Sequence, residues 1–136
     1  MYLLDTNMCV DFLRNKRHEV YQCMNERGPA LVKLPAIVVA ELWCGAEHSR
    51  DVQRNRRILE VFLQSFEVVP FDEECVRKYG QLRAYLAAQG MLIGPNDLLI
   101  AATALANDAV LVTNNVDEFK RVPGLSIESW YEIDGV

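Results

Sequence analysis

Short apolar runs alternate along this chain with longer segments whose apolar positions recur every three or four residues. Tyr2-Leu3-Leu4 reads as a short strand, and Thr6 or Asn7 is placed to cap the helix after it. A second helix spans Glu19 to Arg27 and stops at Gly28-Pro29. Leu31 to Leu34 is the next strand. Pro35 suits the first turn of a helix, where its missing N–H is not needed, and that helix runs to about Gly45-Ala46. Asp51 to Ser65 is helical, with Ile58, Val61, Phe62 and Phe66 as its stripe. Glu67-Val68-Val69 is a strand closed by Pro70. Asp72 caps a long helix with the stripe Val76, Tyr79, Leu82 and Leu86, ended by Gly90. Asn96 caps the helix Asp97 to Ala106. Ala109 to Thr113 is apolar enough for a strand buried on both faces, and Ile127 to Trp130 is an edge-strand candidate. Strands alternating with helices predict one α/β domain over residues 1–136, its mostly parallel sheet covered on both faces.

Four acids break this pattern. Asp5 ends the first strand, Glu41 interrupts an apolar helix, Asp97 leads into Leu98-Leu99-Ile100, and Asp117 follows the strand-end turn Thr113-Asn114-Asn115. In an open parallel sheet, ligands bind beyond the carboxyl ends of the strands. If the first strand and the Ala109–Thr113 strand are neighbours, Asp5 and Asp117 open on the same edge. Glu41 shares a helix face with Ile37, Val38, Cys44 and Gly45, which turns it toward the sheet. Taken singly, each acid has an ordinary reading. Asp5 is an N-cap, Glu41 a side chain reaching out from the edge of its face, Asp97 a carboxylate favoured by the helix dipole, and Asp117 a solvated loop residue. Taken together they imply a divalent cation, because converging carboxylates removed from water need a positive charge. Such a site usually works on phosphate.

Composition narrows the classes. Half of the 136 residues are hydrophobic and 24% are charged, as expected of a folded domain. No apolar run reaches the roughly 18–20 residues of a membrane helix. No basic segment precedes an apolar one at the start, and Asp5 comes too early for a signal peptide. A cytoplasmic protein without membrane association is expected. Cys9, Cys23, Cys44 and Cys75 form no C-x-x-C pair and read as reduced, mostly buried thiols. His18 and His48 lie among polar residues, away from the acids, which argues against a histidine acid–base pair. The net charge of −5 is unusual for a protein that handles nucleic acid, but bound divalent cations would offset most of it. The basic residues are also clustered, as Arg14, Lys16 and Arg17; as Arg50, Arg54, Arg56 and Arg57; and as Lys120 and Arg121. A phosphoacceptor module would want an aspartate ending a central strand, where this chain has Thr113-Asn114, and no glycine-rich nucleotide motif is present.

The residues around the acids carry a further signal. Met1-Tyr2-Leu3-Leu4-Asp5-Thr6-Asn7 is similar to the opening of PIN domains. The blocks Ala36 to Ala46, Ile93 to Ala104 and Leu111 to Phe119, continued by Arg121-Val122-Pro123-Gly124-Leu125, resemble VapC-type PIN-domain ribonuclease toxins of type II toxin–antitoxin systems. The resemblance covers essentially the whole chain. It implies a PIN-like three-layer α/β/α sandwich and a toxic, metal-dependent endoribonuclease. Its cofactor would be Mg2+, with Mn2+ as a substitute. Its substrate would be structured RNA, often tRNA. A VapB-type antitoxin would hold it inactive, it would form a homodimer, and it would meet DNA only through the antitoxin. Asp5 and Asp97 would be the primary metal ligands, with Glu41 holding a second metal or orienting the attacking water. Thr6, Asn7, Thr113 and Asn115 would stand behind them. Many family members carry an aspartate where this chain has Asn115, so Asp117 is expected in the fourth acidic role, with ligation by the Asn115 carbonyl oxygen as the alternative. Loss of the acids with binding retained would make the chain a binding module, but Asp5, Glu41 and Asp97 are all present.

Overall fold

The computed structural model describes residues 1–14 and 18–130. Lys16 and Arg17 of the first basic cluster, and the side chain of His18, lie outside the described residues. The strands are β1 (Tyr2–Leu4), β2 (Val32–Pro35), β3 (Val68–Val69), β4 (Val110–Val112) and β5 (Ser126–Glu128). They form one sheet in the order β3-β2-β1-β4-β5, and every pairing is parallel. Parallel neighbours cannot be joined by a hairpin, so each crossover carries helix. The helices are α1 (Thr6–Leu13), α2 (His18–Arg27), α3 (Ala36–Glu47), α4 (Val52–Leu63), α5 (Glu73–Ala88), α6 (Pro95–Ala106) and the single turn α7 (Val116–Phe119). α3 packs against both α1 and α4, and α5 lies against α6, giving the expected three-layer α/β/α sandwich.

The chain builds outward from β1 in both directions, first to β2 and β3, later to β4 and β5. The strand order therefore reverses at the β1–β4 pair, where such sheets open a crevice at their carboxyl ends. Register fixes what meets there. Leu4 pairs with Val112, which sets Asp5 beside Thr113, and the Asp5 N–H donates to the Val112 carbonyl at 3.1 Å. Leu3, Leu4, Leu34, Leu111 and Val112 are fully buried beneath this edge. At the far side of the sheet Trp130 is buried, its indole N–H donating to Glu128 at 3.0 Å. The Arg27 guanidinium lies over the Tyr2 and Trp130 rings and is ion-paired with Glu128, which binds the end of α2 to the β5 edge.

Several expectations are corrected. Asp5, not Thr6 or Asn7, caps α1, because its carboxylate accepts the Met8 N–H while Thr6 turns its hydroxyl elsewhere. α6 begins at Pro95 with Gly94 as its cap residue, so Asn96 lies inside the helix. The buried stripe of α4 is Leu59 and Phe62, with Ile58 and Val61 exposed. On α5, Cys75 is buried and Val76 exposed. Cys44 is exposed, unlike buried Cys9 and Cys75. α7 forms where only a turn was read.

Candidate active site

Asp5 is only 5% exposed at the end of β1. Its Oδ1 accepts the Met8 N–H at 2.9 Å, and its Oδ2 accepts the Thr113 hydroxyl at 2.5 Å. Thr113 Oγ1 in turn accepts the Asn115 N–H at 2.9 Å, so the hydroxyl proton is committed toward Asp5. Burial pushes the Asp5 carboxyl above its usual range, the two donors pull it back, and the charges of Glu41 and Asp11 push it up again. Glu41 is half-buried at the edge of the α3 face that buries Val38, Leu42 and Ala46, while Cys44 and Gly45, expected beside it, are exposed. Its Oε1 accepts the Thr6 hydroxyl at 2.7 Å, which leaves Oε2 without a protein partner among the described residues.

Asp97 stands in the first turn of α6, half-buried. Its pKa is raised to about 7. Desolvation is the largest cause, followed by the charge of Glu118 and a hydrogen bond with it, then the charges of Asp5 and Glu41. Glu118 is held low, first by the Gly94 N–H, which donates to its Oε1 at 2.9 Å, and then by the Asn115 side-chain amide, which donates to its Oε2 at 2.5 Å. The proton of this pair therefore rests on Asp97. Gly94 lies close to both acids: a Cβ there would meet Asp97 Oδ2 at 3.6 Å and Glu118 Oε1 at 3.7 Å, ordinary contact distances.

The structure thus brings together Asp5, Glu41 and Asp97, with Thr6, Thr113 and Asn115 behind them. It does not bring in Asp117, whose side chain is 95% exposed and paired with Lys120 at 3.2 Å. Glu118 stands in its place. Asn7 is exposed on α1, with no hydrogen bond to the acids. The signal for Glu118 was helical phase: successive residues of a turn point about 100° apart, and only one of Asp117 and Glu118 can face Gly94.

Hard oxygen donors in a cluster that retains a proton near neutrality are the donor set a hard divalent cation takes. Among the described residues no three His, Cys, Asp or Glu side chains close into a ready-made cage. Asp5 and Asp97 could hold such an ion, since Mg2+ keeps several waters and needs only one or two carboxylates.

The PIN domain family profile matches residues 2–125. The chain belongs to the PIN domain family. Ribonuclease VapC2 of Rickettsia felis is 42% identical to it over 132 residues, covering 96% of this chain and 98% of the relative. The tRNA(fMet)-specific endonuclease VapC of Salmonella typhimurium is 37% identical over 129 residues, covering 95% and 97%. The crystal structure of VapBC2 from Rickettsia felis bound to a DNA fragment from its promoter aligns with a TM-score of 0.90 at 39% identity, covering 95% of this chain and 98% of that one. These relatives place the PIN domain described here among VapC-type ribonucleases.

For this PIN domain, Glu118→Gln is expected to lower RNA cleavage roughly 10- to 100-fold, the usual cost of removing a group that orients a ligand carboxylate. Asp117→Asn should stay within about twofold, since an exposed pair contributes about 0–1 kcal/mol. Equal losses in the two variants, measured by initial rates on one RNA, would reverse the assignment of the fourth acid.

Proposed function

We propose that this VapC-type ribonuclease is a metal-dependent endonuclease that hydrolyses phosphodiester bonds of structured RNA, tRNA in particular. The observation that carries this reading is the gathering of Asp5, Glu41 and Asp97 at the carboxyl edge of β1 and β4, where desolvation and then the neighbouring carboxylates raise the pKa of Asp97, a cost that a divalent cation relieves. Asp5 and Asp97 would hold the metal, Mg2+ or Mn2+. When bound, it lowers the pKa of a coordinated water and stabilises the oxygens of an in-line displacement.

The chain's own groups divide the remaining work. Met8 N–H and the Thr113 hydroxyl fix both oxygens of Asp5, so its orientation is set before substrate arrives. Glu41, anchored by Thr6 through one oxygen, has its other oxygen free to orient the attacking water and accept its proton. Glu118 spends both oxygens on Gly94 and Asn115, which makes it a positioning residue for the start of α6 and hence for Asp97.

The tRNA(fMet)-specific relative supports tRNA as the substrate, and the VapBC assembly on promoter DNA supports a partner of the VapB type. In this proposal that partner inhibits the enzyme and makes the DNA contact. A homodimer in the cytoplasm completes the reading. Bulk tRNA incubated with the protein should be cut with Mg2+ or Mn2+, spared in excess EDTA, and cut again on adding Mg2+. The downstream product should carry a 5′-phosphate. A 2′,3′-cyclic phosphate on the upstream product, or full activity in EDTA, would overturn the mechanism.

A further inference from the structure

The start of α6, which carries Asp97, follows directly on residues 91–94, a segment with no helix or strand of its own. Gly94 ties this segment to the helix. Its carbonyl accepts the Leu98 N–H at 2.9 Å, the first bond of α6. Pro95 comes next with its fixed φ, so a displacement of Gly94 passes into the turn that holds Asp97. On its other side the segment meets α7 and the residues just after it through two backbone groups. The Gly94 N–H donates to Glu118 Oε1 at 2.9 Å, and the Leu92 carbonyl accepts from Arg121 Nη1 at 3.3 Å. Arg121 stands between Phe119 and Val122, both buried, so the backbone from which its side chain reaches is fixed in the core. The Arg121 charge also acts on Glu118, whose carboxyl is held low first by the Gly94 N–H and, more weakly, by this guanidinium.

From this geometry we infer that Arg121 is a positioning residue of the active site: by holding the Leu92 carbonyl beside Glu118, it fixes residues 92–94 against α7 and so sets where Asp97 stands. The inference rests on the proposed nuclease reading. Glu118 by itself is a one-point clamp, because a carboxylate can hold only the N–H of the segment. A cation at the carbonyl two residues earlier adds a second point of opposite polarity. The segment is then pinned in position and in direction. Arginine carries several N–H donors, so one can serve the carbonyl while the charge still acts on Glu118. Its exposed side chain contributes little to global stability, so its removal tests placement rather than folding.

The test compares the wild type with Arg121→Ala, Arg121→Lys, Glu118→Gln and the double variant Arg121→Ala with Glu118→Gln. Hydrogen exchange of the Gly94 amide is followed by NMR in EDTA. It should quicken about threefold or more in Arg121→Ala while the amides of β1 and β4 stay as they are, since the opening is local. On tRNA in Mg2+, kcat of Arg121→Ala should fall roughly tenfold, the low end for a group that orients a ligand residue, with KM within about twofold. The rise in melting temperature on adding Mg2+ without RNA should need a higher Mg2+ concentration. Arg121→Lys keeps the charge and a donor, so it should recover most of each effect. The double variant should lose no more than Glu118→Gln, because both residues act through one segment. Arg83→Ala on α5 is the control and should change none of these. Unchanged Gly94 exchange, or losses that simply add in the double variant, would overturn the inference. So would a raised KM with kcat intact, which marks a contact to substrate phosphate instead. A wild type that cuts no RNA in Mg2+ would sink the nuclease reading, and Gly94 exchange would then decide alone whether Arg121 places the segment.

Discussion

Asp97→Asn is expected to abolish RNA cleavage while raising the melting temperature of the metal-free protein at pH 8. The two effects share one cause. Asp97 has its pKa raised from 3.8 to about 7 in the folded chain. Between those values the native state holds a proton that the unfolded chain has released. Stability contributed by this group therefore falls as pH rises through that window, and the penalty is complete above about pH 7. Asparagine cannot ionise and carries no such penalty. In EDTA the gap in melting temperature between variant and wild type should widen from pH 5 to pH 8, with the variant above. A gap that is constant or narrows toward pH 8 would show that Asp97 is not held in its protonated form by the cluster. Excess Mg2+ at pH 8 should shrink the gap, because a carboxylate that ligates a cation no longer carries the repulsion. Stability sacrificed at a functional site in this way is the usual trade between activity and folding.

Thr113→Val should act in the opposite direction on stability. Valine matches threonine in shape but removes the donor to Asp5 Oδ2 and the acceptor for the Asn115 N–H. The buried Asp5 carboxylate then loses one of its two donors, at a cost of about 1–3 kcal/mol. For a domain of this size that corresponds to roughly 4 °C per kcal/mol in melting temperature. The Asp5 pKa, already raised by burial, should rise further, so the loss should be larger at pH 8 than at pH 5. Cleavage should fall with it, because the orientation of Asp5 depends on that hydroxyl. A variant that melts like the wild type at both pH values would remove Thr113 from the site's support. The pair of experiments also discriminates between the two aspartates: one carboxylate is fixed by two donors, while the other is raised first by desolvation and then by its neighbours' charges.

Much of this site was legible in the chain. Strand direction alone set Asp5 at the sheet edge, and the register of Leu4 with Val112 put Thr113 beside it. Helical phase set Glu41 beside Val38, which is buried, but also beside Cys44 and Gly45, which are exposed, so its reach toward the site shows instead in the Thr6 hydrogen bond. What failed were choices between adjacent residues. Asp117 was expected where Glu118 stands, because α7 is one turn long and no apolar periodicity announces where a single turn begins. The same slip of one position affected α4, where Ile58 and Leu59 are both apolar and only packing against α3 selects Leu59. On α5, Cys75 was displaced in the reading by the more strongly apolar Val76. Hydrophobic periodicity ranks faces of a helix; it does not choose between neighbours that straddle the edge of a face.

The central place of β1 has a consequence for how the enzyme comes into being. β1 is flanked by β2 and by β4, and the Leu4 partner Val112 lies far along the chain. Pairing of strands so distant in sequence is entropically slow and cannot begin until the late strand exists. Asp5 leaves the ribosome more than a hundred residues before Thr113 and Glu118, which complete its surroundings and those of Asp97. A chain that stops short of β4 therefore holds Asp5, Glu41 and Asp97 without the completed site.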